Sequence, residues 1–464
     1  MRRCLRPGSV GLLLLACLSC SKTEPTPPAA GSSSQAGFSP PVAAAGVRGA
    51  SAAAVPSSLA GTTPSKPRNV LFLTIDSLRA DMPWNGYPRA IAPHLTALAE
   101  RCTSYTNAYS VSSYTAKSVA AFLSGRYPST LYRNGFFFAG YAEANQFMAE
   151  TLSASGLATL SWHSHMYFAR AKGFEQGFTD WKVVPGISFD AQTDNHVTGE
   201  KMTTLGIELL SQPKLKTQQF FAWAHYMDPH DQYNRHKESP DFGRKARDRY
   251  DSEVFYTDLQ VKKLLDFLDG QAFGADTYLV VSSDHGEAFG EHGMYKHAFE
   301  LWEVLTRVPL LFCGPGIKAQ RIAERRSHID LVPTFFDLLG QPVPPEMMGQ
   351  SLLPELRGLE TPKNREPILL ELAEDTHNPP RRALILGDFK LIWSGPRDKF
   401  QLFNLKQDPG EEKDLAKTQP ESLQQMVSAY RAAWEKLPTV EPYGNMKLKE
   451  GGTARGPTGP DHKK

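Results

Sequence analysis

Residues 70–75 read Val-Leu-Phe-Leu-Thr-Ile, and Asp76 follows at once. A run that is apolar at consecutive rather than alternate positions is buried on both faces, so it belongs inside a sheet with helices on either side. In open α/β sheets ligands bind beyond the carboxyl ends of the strands. Asp76 is therefore a candidate metal ligand or catalytic group, with a turn or helix-cap role as the alternative.

The same pattern recurs downstream. Residues 93–101 read as a crossover helix with Pro93 in its first turn, 158–162 and 220–226 as strands, and 252–268 as a long amphipathic helix. Residues 277–281, TYLVV, form another buried strand that runs through Ser282 and Ser283 into Asp284-His285-Gly286-Glu287. Residues 308–312 read as a strand and 329–339 as a helix. The alternation predicts an α/β fold with a large doubly wound mixed sheet flanked by helices.

A hydroxyl at a helix start joins the two strand ends. In residues 112–129, SSYTAKSVAAFLSGRYPS, Thr115 reads as an N-cap, 116–123 as helix and Gly125 as its stop. Free amides and the positive end of the dipole at such a start suit an anionic ester docked beside Thr115; plain capping is the alternative. Asp76, Thr115, Asp284 and His285 together offer carboxylate, hydroxyl and imidazole donors for one divalent ion, Mn, Zn, Ca or Mg. Such an ion would lower the hydroxyl pKa and neutralise charge on an attacked ester.

The chain has 464 residues, 41% hydrophobic and 22% charged, enough for one large core and a smaller domain. A net charge of +2 argues against nucleic-acid binding driven by bulk charge. Of the five cysteines only Cys102 and Cys313 lie in the body, which leaves room for one bridge and no disulfide framework. Residues 1–20 read as a targeting segment: Arg2, Arg3 and Arg6 precede a short apolar run, and Leu14-Leu15-Ala16-Cys17 is similar to a bacterial lipobox, with Cys20 as a second candidate for lipidation. An ordinary cleaved secretory signal is the alternative. In residues 21–66, 36 of 46 are Ala, Gly, Pro, Ser or Thr, the composition of a disordered tether. The expectation is an exported, membrane-anchored lipoprotein facing the periplasm or cell surface of a bacterium.

The ordered series NVLFLTIDSLRAD, TAKSVAAFLSGRYPS, HYMDPHDQY, VVSSDHGEAFGEHG, RVPLLF, SHIDLVPTFFDLLG, LGDFKLIW and LFNLKQDPGEEKDLA resembles the sulfatase family of the alkaline phosphatase superfamily, over about residues 67–437. The resemblance implies a catalytic domain over 67–345 and a smaller C-terminal α+β domain over 346–440; the segment 441–464, with Gly451, Gly452, Pro457 and Pro460, reads as a disordered tail. Runs at 368–372, 384–386, 389–393 and 400–403, with a helix at 420–434, fit the four-stranded antiparallel sheet that the family carries there. By position Asp76, Asp284 and His285 match the family's metal ligands and Thr115 its nucleophile. His225 and His230 match its active-site histidines, Lys296 and His297 its basic groups, and His163 and His165 lie near a Lys-Trp-His segment common in sulfatases. Packing or surface polarity is the alternative for these six.

The departures are as informative. Sulfatases carry a Cys or Ser in C/S-x-P-S-R that a maturation enzyme oxidises to formylglycine, whereas this segment reads Thr115-Ala116-Lys117-Ser118-Val119 and threonine would give a ketone, so no formylglycine is expected. Ser77 stands where a second acidic ligand is usual, and Asp284-His285 replaces Asp-Asn. The set resembles superfamily relatives that transfer phosphoryl groups with a Thr nucleophile. The favoured expectation is a metal-dependent hydrolase or transferase of anionic small-molecule, glycan or lipid esters, preferring phosphate mono- or diesters. A sulfatase working without formylglycine and a non-catalytic anion- or glycan-binding lipoprotein are the alternatives. Lys117 reads as either an anion clamp or a solvated helix residue.

Overall fold

The computed structural model describes residues 68–170, 172–188, 197–395, 398–443, 445–447 and 453–455. The expected signal segment and tether lie outside the described residues. In chain order the helices are α1 Pro93–Ala99, α2 Thr115–Ser124, α3 Met148–Ala154, α4 Gly199–Leu210, α5 Ala246–Asp269, α6 Glu303–Thr306, α7 Leu331–Leu339, α8 Leu353–Leu356 and α9 Pro420–Trp434. The strands are β1 Asn69–Ile75, β2 Thr103–Tyr109, β3 Ala158–His163, β4 Asp180–Val183, β5 Phe220–Tyr226, β6 Thr277–Ser282, β7 Ala288–Phe289, β8 Tyr295–Lys296, β9 Arg307–Cys313, β10 Gln320–Ile322, β11 Arg326–Ser327, β12 Ile368–Leu372, β13 Arg381–Leu386, β14 Phe389–Ser394 and β15 Lys399–Asn404.

A nine-stranded sheet runs β10-β2-β9-β6-β1-β5-β3-β4, with β11 also on β2. β1 pairs in parallel with both β5 and β6, and β9 runs antiparallel to β6 and β2, so the sheet is mixed. Every residue of β1 is buried. Val70 and Phe72 face the side covered by α2, α3 and α7, while Leu71, Leu73 and Ile75 face α1, α4 and α5. This two-sided burial is why β1 reads as a continuous apolar run. The registers Thr74↔Ser282 and Thr74↔His225 bring the ends of β6 and β5 to either side of Asp76. Residues distant in sequence thus meet at the carboxyl ends of three central strands.

β12 to β15 form the expected four-stranded antiparallel sheet. Leu370, Ala383, Ile385 and Phe403 pack onto the core shared with α2 and α7, and Leu369, Leu384, Leu391 and Leu402 face α9. Some expected elements need correction. The helix at 252–268 begins earlier, at Ala246, because Asp248 accepts the Lys245 amide at 2.9 Å and starts it. The stretch expected to be a structureless tail contributes two short strands, Asn445–Lys447 and Thr453–Arg455, paired with each other. Cys102 and Cys313 are bonded, joining the start of β2 to the end of β9. Among the described residues no helix is long and apolar enough to cross a membrane.

Candidate metal and ester site

Asp76 leaves the end of β1 with its amide donating to the Tyr226 carbonyl at 2.8 Å. The chain then turns sharply at Ser77, which has a positive φ of 57°. Several bonds hold that turn: Ser77 Oγ donates to Asp76 Oδ1 at 2.8 Å, Leu78 N to Ser283 Oγ at 2.8 Å, and Tyr250 Oη to the Ser77 carbonyl at 2.8 Å. A non-glycine residue kept in this region needs such support. Ser77 thus orients Asp76.

Asp284 and His285 follow β6. The His285 amide donates to Asp284 Oδ1 at 3.0 Å, and His285 Nδ1–H donates to the Gly286 carbonyl at 3.0 Å. That bond leaves the Nε2 lone pair facing the site. His285 Nε2 lies 3.3 Å from Asp284 Oδ2 and 3.6 Å from Asp76 Oδ1, and one donor atom each of Asp76, Asp284 and His285 falls within 4.8 Å of the others.

Thr115 is not the helix cap that its sequence suggests. Tyr114 occupies the N-cap position in extended conformation, and Thr115 is the first helical residue of α2. Its hydroxyl is turned from the helix amides to the cluster, 3.3 Å from Asp76 Oδ2 and 3.2 Å from His285 Nε2. Gly125 ends the helix at φ 65°, as expected. Ser110 donates to the Asp284 carbonyl and lies 2.9 Å from Ser118 of α2, which links the helix start to the β6 end.

The electrostatics describe a site built for a cation. Burial, and then Asp76, push Asp284 up to about 7. Burial also opposes ionisation of Asp76, but His230, the bond from His225, and His285 more than offset it and hold Asp76 well below the usual carboxylate range. Burial, and then His297, keep His285 well below the usual imidazole range, in its neutral ligating form. Asp284 Oδ2 is buried without a hydrogen-bond donor. Two carboxylates and an imidazole lone pair that converge in this way fit one divalent ion, with the Thr115 hydroxyl as a further donor.

The expected acid–base residues divide into two groups. His225 is fully buried behind Asp76: Nε2 is 3.1 Å from Asp76 Oδ2 and Nδ1 is 2.8 Å from Thr74 Oγ1. Both ring nitrogens are engaged, Nε2 at Asp76 and Nδ1 at Thr74. The His297 ring lies against His285 with centroids 4.2 Å apart and planes tilted by 30°, and His230 lies 5.0 Å beyond it. His297 Nδ1 is 3.2 Å from Glu287, and although burial works against the charge, Glu287, Asp76 and Asp284 raise His297 to about 9.

Lys296 pairs with Asp231 at 2.6 Å, half-exposed, instead of joining the cluster. His163 is packed among Trp181, Phe168 and Trp223, a core residue. His165 lies 6.4 Å from His230, and burial, then His230, push it down to about 3. Lys117 is neither clamp nor solvated: it is buried and paired with Asp375. Glu287 was missed as a site residue, although it sits in the quoted Asp284-His285-Gly286-Glu287 run.

The family model described as Sulfatase matches residues 68–341, and that described as N-sulphoglucosamine sulphohydrolase, C-terminal, matches residues 290–436. The chain is 27% identical over 435 residues to the choline-sulfatase of Rhizobium meliloti (strain 1021), covering 76% of this chain and 83% of that one. Among solved structures, a 2-O GAG sulfatase superposes with TM-score 0.67 at 20% identity, covering 84% of this chain and 99% of the other. A phosphonate monoester hydrolase from Silicibacter pomeroyi does so with TM-score 0.65 at 21% identity, covering 84% and 99%. With the family model matching more than half of its length, and with the mixed sheet and C-terminal four-stranded sheet in place, the chain belongs to the sulfatase family and is an ester hydrolase.

Proposed function

We propose that this protein is a metal-dependent hydrolase or transferase of anionic esters in which Thr115 is the nucleophile, with phosphate mono- or diesters preferred. The observation that carries this is the Thr115 hydroxyl, free of any capping duty and 3.2 Å from His285 Nε2 and 3.3 Å from Asp76 Oδ2. Asp76, Asp284, His285 and Thr115 would hold the ion, which when bound lowers the hydroxyl pKa and neutralises ester charge.

Thr115 Oγ attacks phosphorus, its proton passes to solvent water, and the bond to the leaving oxygen breaks. His297, clamped through Nδ1 by Glu287, or His230 beside it, gives that oxygen a proton. Water or an acceptor hydroxyl then attacks the phosphothreonine and gives its proton to the imidazole, while Thr115 Oγ leaves and takes a proton back from solvent water. A formylglycine hydrate can expel sulfate through carbon–oxygen chemistry; a threonine ester has no such exit and needs direct attack at the central atom. Phosphorus suits that route. The fold also accommodates it, since one structural neighbour is named a phosphonate monoester hydrolase. The names of the other relatives favour a second reading, a sulfuric ester hydrolase working on unmodified Thr115.

The reading extends to location and substrate. The domain is exported and held at a bacterial membrane by lipid on Cys17 or Cys20, acting on a small-molecule, glycan or lipid ester in the periplasm or at the cell surface. The Cys102–Cys313 bond supports an oxidising compartment. The test is turnover of p-nitrophenyl phosphate, bis-p-nitrophenyl phosphate and p-nitrophenyl sulfate by metal-stripped protein resupplied with Mn, Zn, Ca or Mg. Metal-dependent cleavage of a phosphorus ester that disappears in Thr115→Ala is the expected result. Cleavage of the sulfate alone would establish the second reading.

A further inference from the structure

Beside the candidate site the chain exposes an aromatic face that the ester chemistry does not use. Tyr114, next to Thr115, is buried and stacks on Phe137 with centroids 4.2 Å apart and planes at 23°. Phe137 in turn faces Phe299, nearly parallel at 22° with centroids 6.4 Å apart. Phe299 is 48% exposed. The three rings thus step outward from the residue beside Thr115 to solvent.

Both outer rings are held in place. Phe137 N donates to Thr376 Oγ1 at 3.2 Å, and His377 meets the Phe137 ring edge-on at 5.2 Å, so the loop after β12 braces it. Phe299 follows His297 in a stretch where Lys296, Ala298 and Phe299 have positive φ of 66°, 68° and 64°. Ala298 N donates to the Ser113 carbonyl at 2.9 Å, tying that stretch to the loop just before Thr115. Left-handed backbone at three non-glycine residues is unfavourable and persists where surrounding contacts impose it, commonly at ligand clamps. Here it turns one side chain, His297, against His285, and another, Phe299, to solvent beside Phe137.

We propose that the Phe137–Phe299 face is the leaving-group subsite and that it takes a planar aryl ring. The proposal deepens the ester-hydrolase reading and rests on it for the word leaving group. The phosphoryl end of such an ester would lie at Thr115 and its ring against Phe299, stacking and losing water contact.

The test reads binding, so it is independent of turnover. Dissociation constants of phenylphosphonate and methylphosphonate are measured calorimetrically on the manganese-loaded protein, on Phe299→Ala and on Phe299→Tyr. The wild type should prefer the phenyl compound, Phe299→Ala should lose about three- to tenfold of that preference, and Phe299→Tyr should keep it. An unchanged preference in Phe299→Ala overturns the proposal, as does equal or absent binding of both ligands to the wild type. An aryl preference that depends on Phe299 in a protein that turns over no ester would uphold the subsite while the reading of Thr115 as nucleophile fails.

Discussion

The ammonium of Lys117 and the carboxylate of Asp375 form a fully buried ion pair that ties the first turn of α2 to the loop after β12. Asp375 also accepts the backbone amides of His377 and Asn378 at 2.8 Å each and the Asn378 side chain at 2.9 Å. Burial pulls Lys117 below its usual range, with Asp375 opposing. Thr115 lies on the same turn, so the C-terminal sheet braces the candidate nucleophile. Lys117→Ala strands a buried carboxylate and should cost about 3–5 kcal/mol in urea unfolding, whereas Lys117→Met combined with Asp375→Leu should recover most of it. A loss below about 1 kcal/mol in the single variant would show that the pair is not structural.

His225 acts on the site through Asp76. With Nε2 on Asp76 Oδ2 and Nδ1 on Thr74, it fixes the carboxylate as partners behind metal ligands do. Burial works against its charge, but the Asp76 bond and Asp284 raise it above the usual imidazole range. His225→Ala should lower manganese affinity about 10–100-fold by calorimetric titration. If affinity stays put while turnover collapses, His225 is an acid or base after all.

Much of this site was legible because its residues sit at ends of elements that the sequence marks strongly. Asp76 and Asp284 close strands buried on both faces, and such strands advertise themselves as apolar runs. That β1 and β6 are neighbours was not legible, since pairing is decided by the whole sheet and not by either run. β2 escaped notice because TSYTNAY is polar; it is a strand because β9 and β10 flank it. Thr115 read as a cap because a hydroxyl before a helix usually is one, and only the cluster across from it shows where the oxygen turns. Lys117 and Asp375, 258 residues apart, carry no local signal that they meet.

The Cys102–Cys313 bond should contribute to stability. It closes a loop of 211 residues, and both sulfurs lie in the core on the α1, α4 and α5 side of the sheet. Replacing both cysteines with serine should lower unfolding free energy by about 2–5 kcal/mol, through the freedom restored to the unfolded chain. Denaturation of the wild type with and without a reductant, beside the double variant, checks this. Equal stability in all three would show that the bridge does not constrain the unfolded state.

His328 should give the protein an acid limb of instability separate from the metal site. Its ring is fully buried, with Nε2 at 2.9 Å from Ser282 Oγ and Nδ1 without a partner. Burial alone pushes it down to about 3. The unfolded chain takes a proton near the ordinary imidazole value of about 6.5, which the folded chain refuses until pH falls much further. The stabilisation is therefore complete above about pH 6.5 and is lost as pH falls toward 3, with a slope approaching about 1.4 kcal/mol per pH unit from this one group. His328→Gln keeps a donor for Ser282 and removes the titration. Urea unfolding from pH 7 to pH 4.5 should show a shallower decline in that variant, and parallel declines would place the acid sensitivity in other groups.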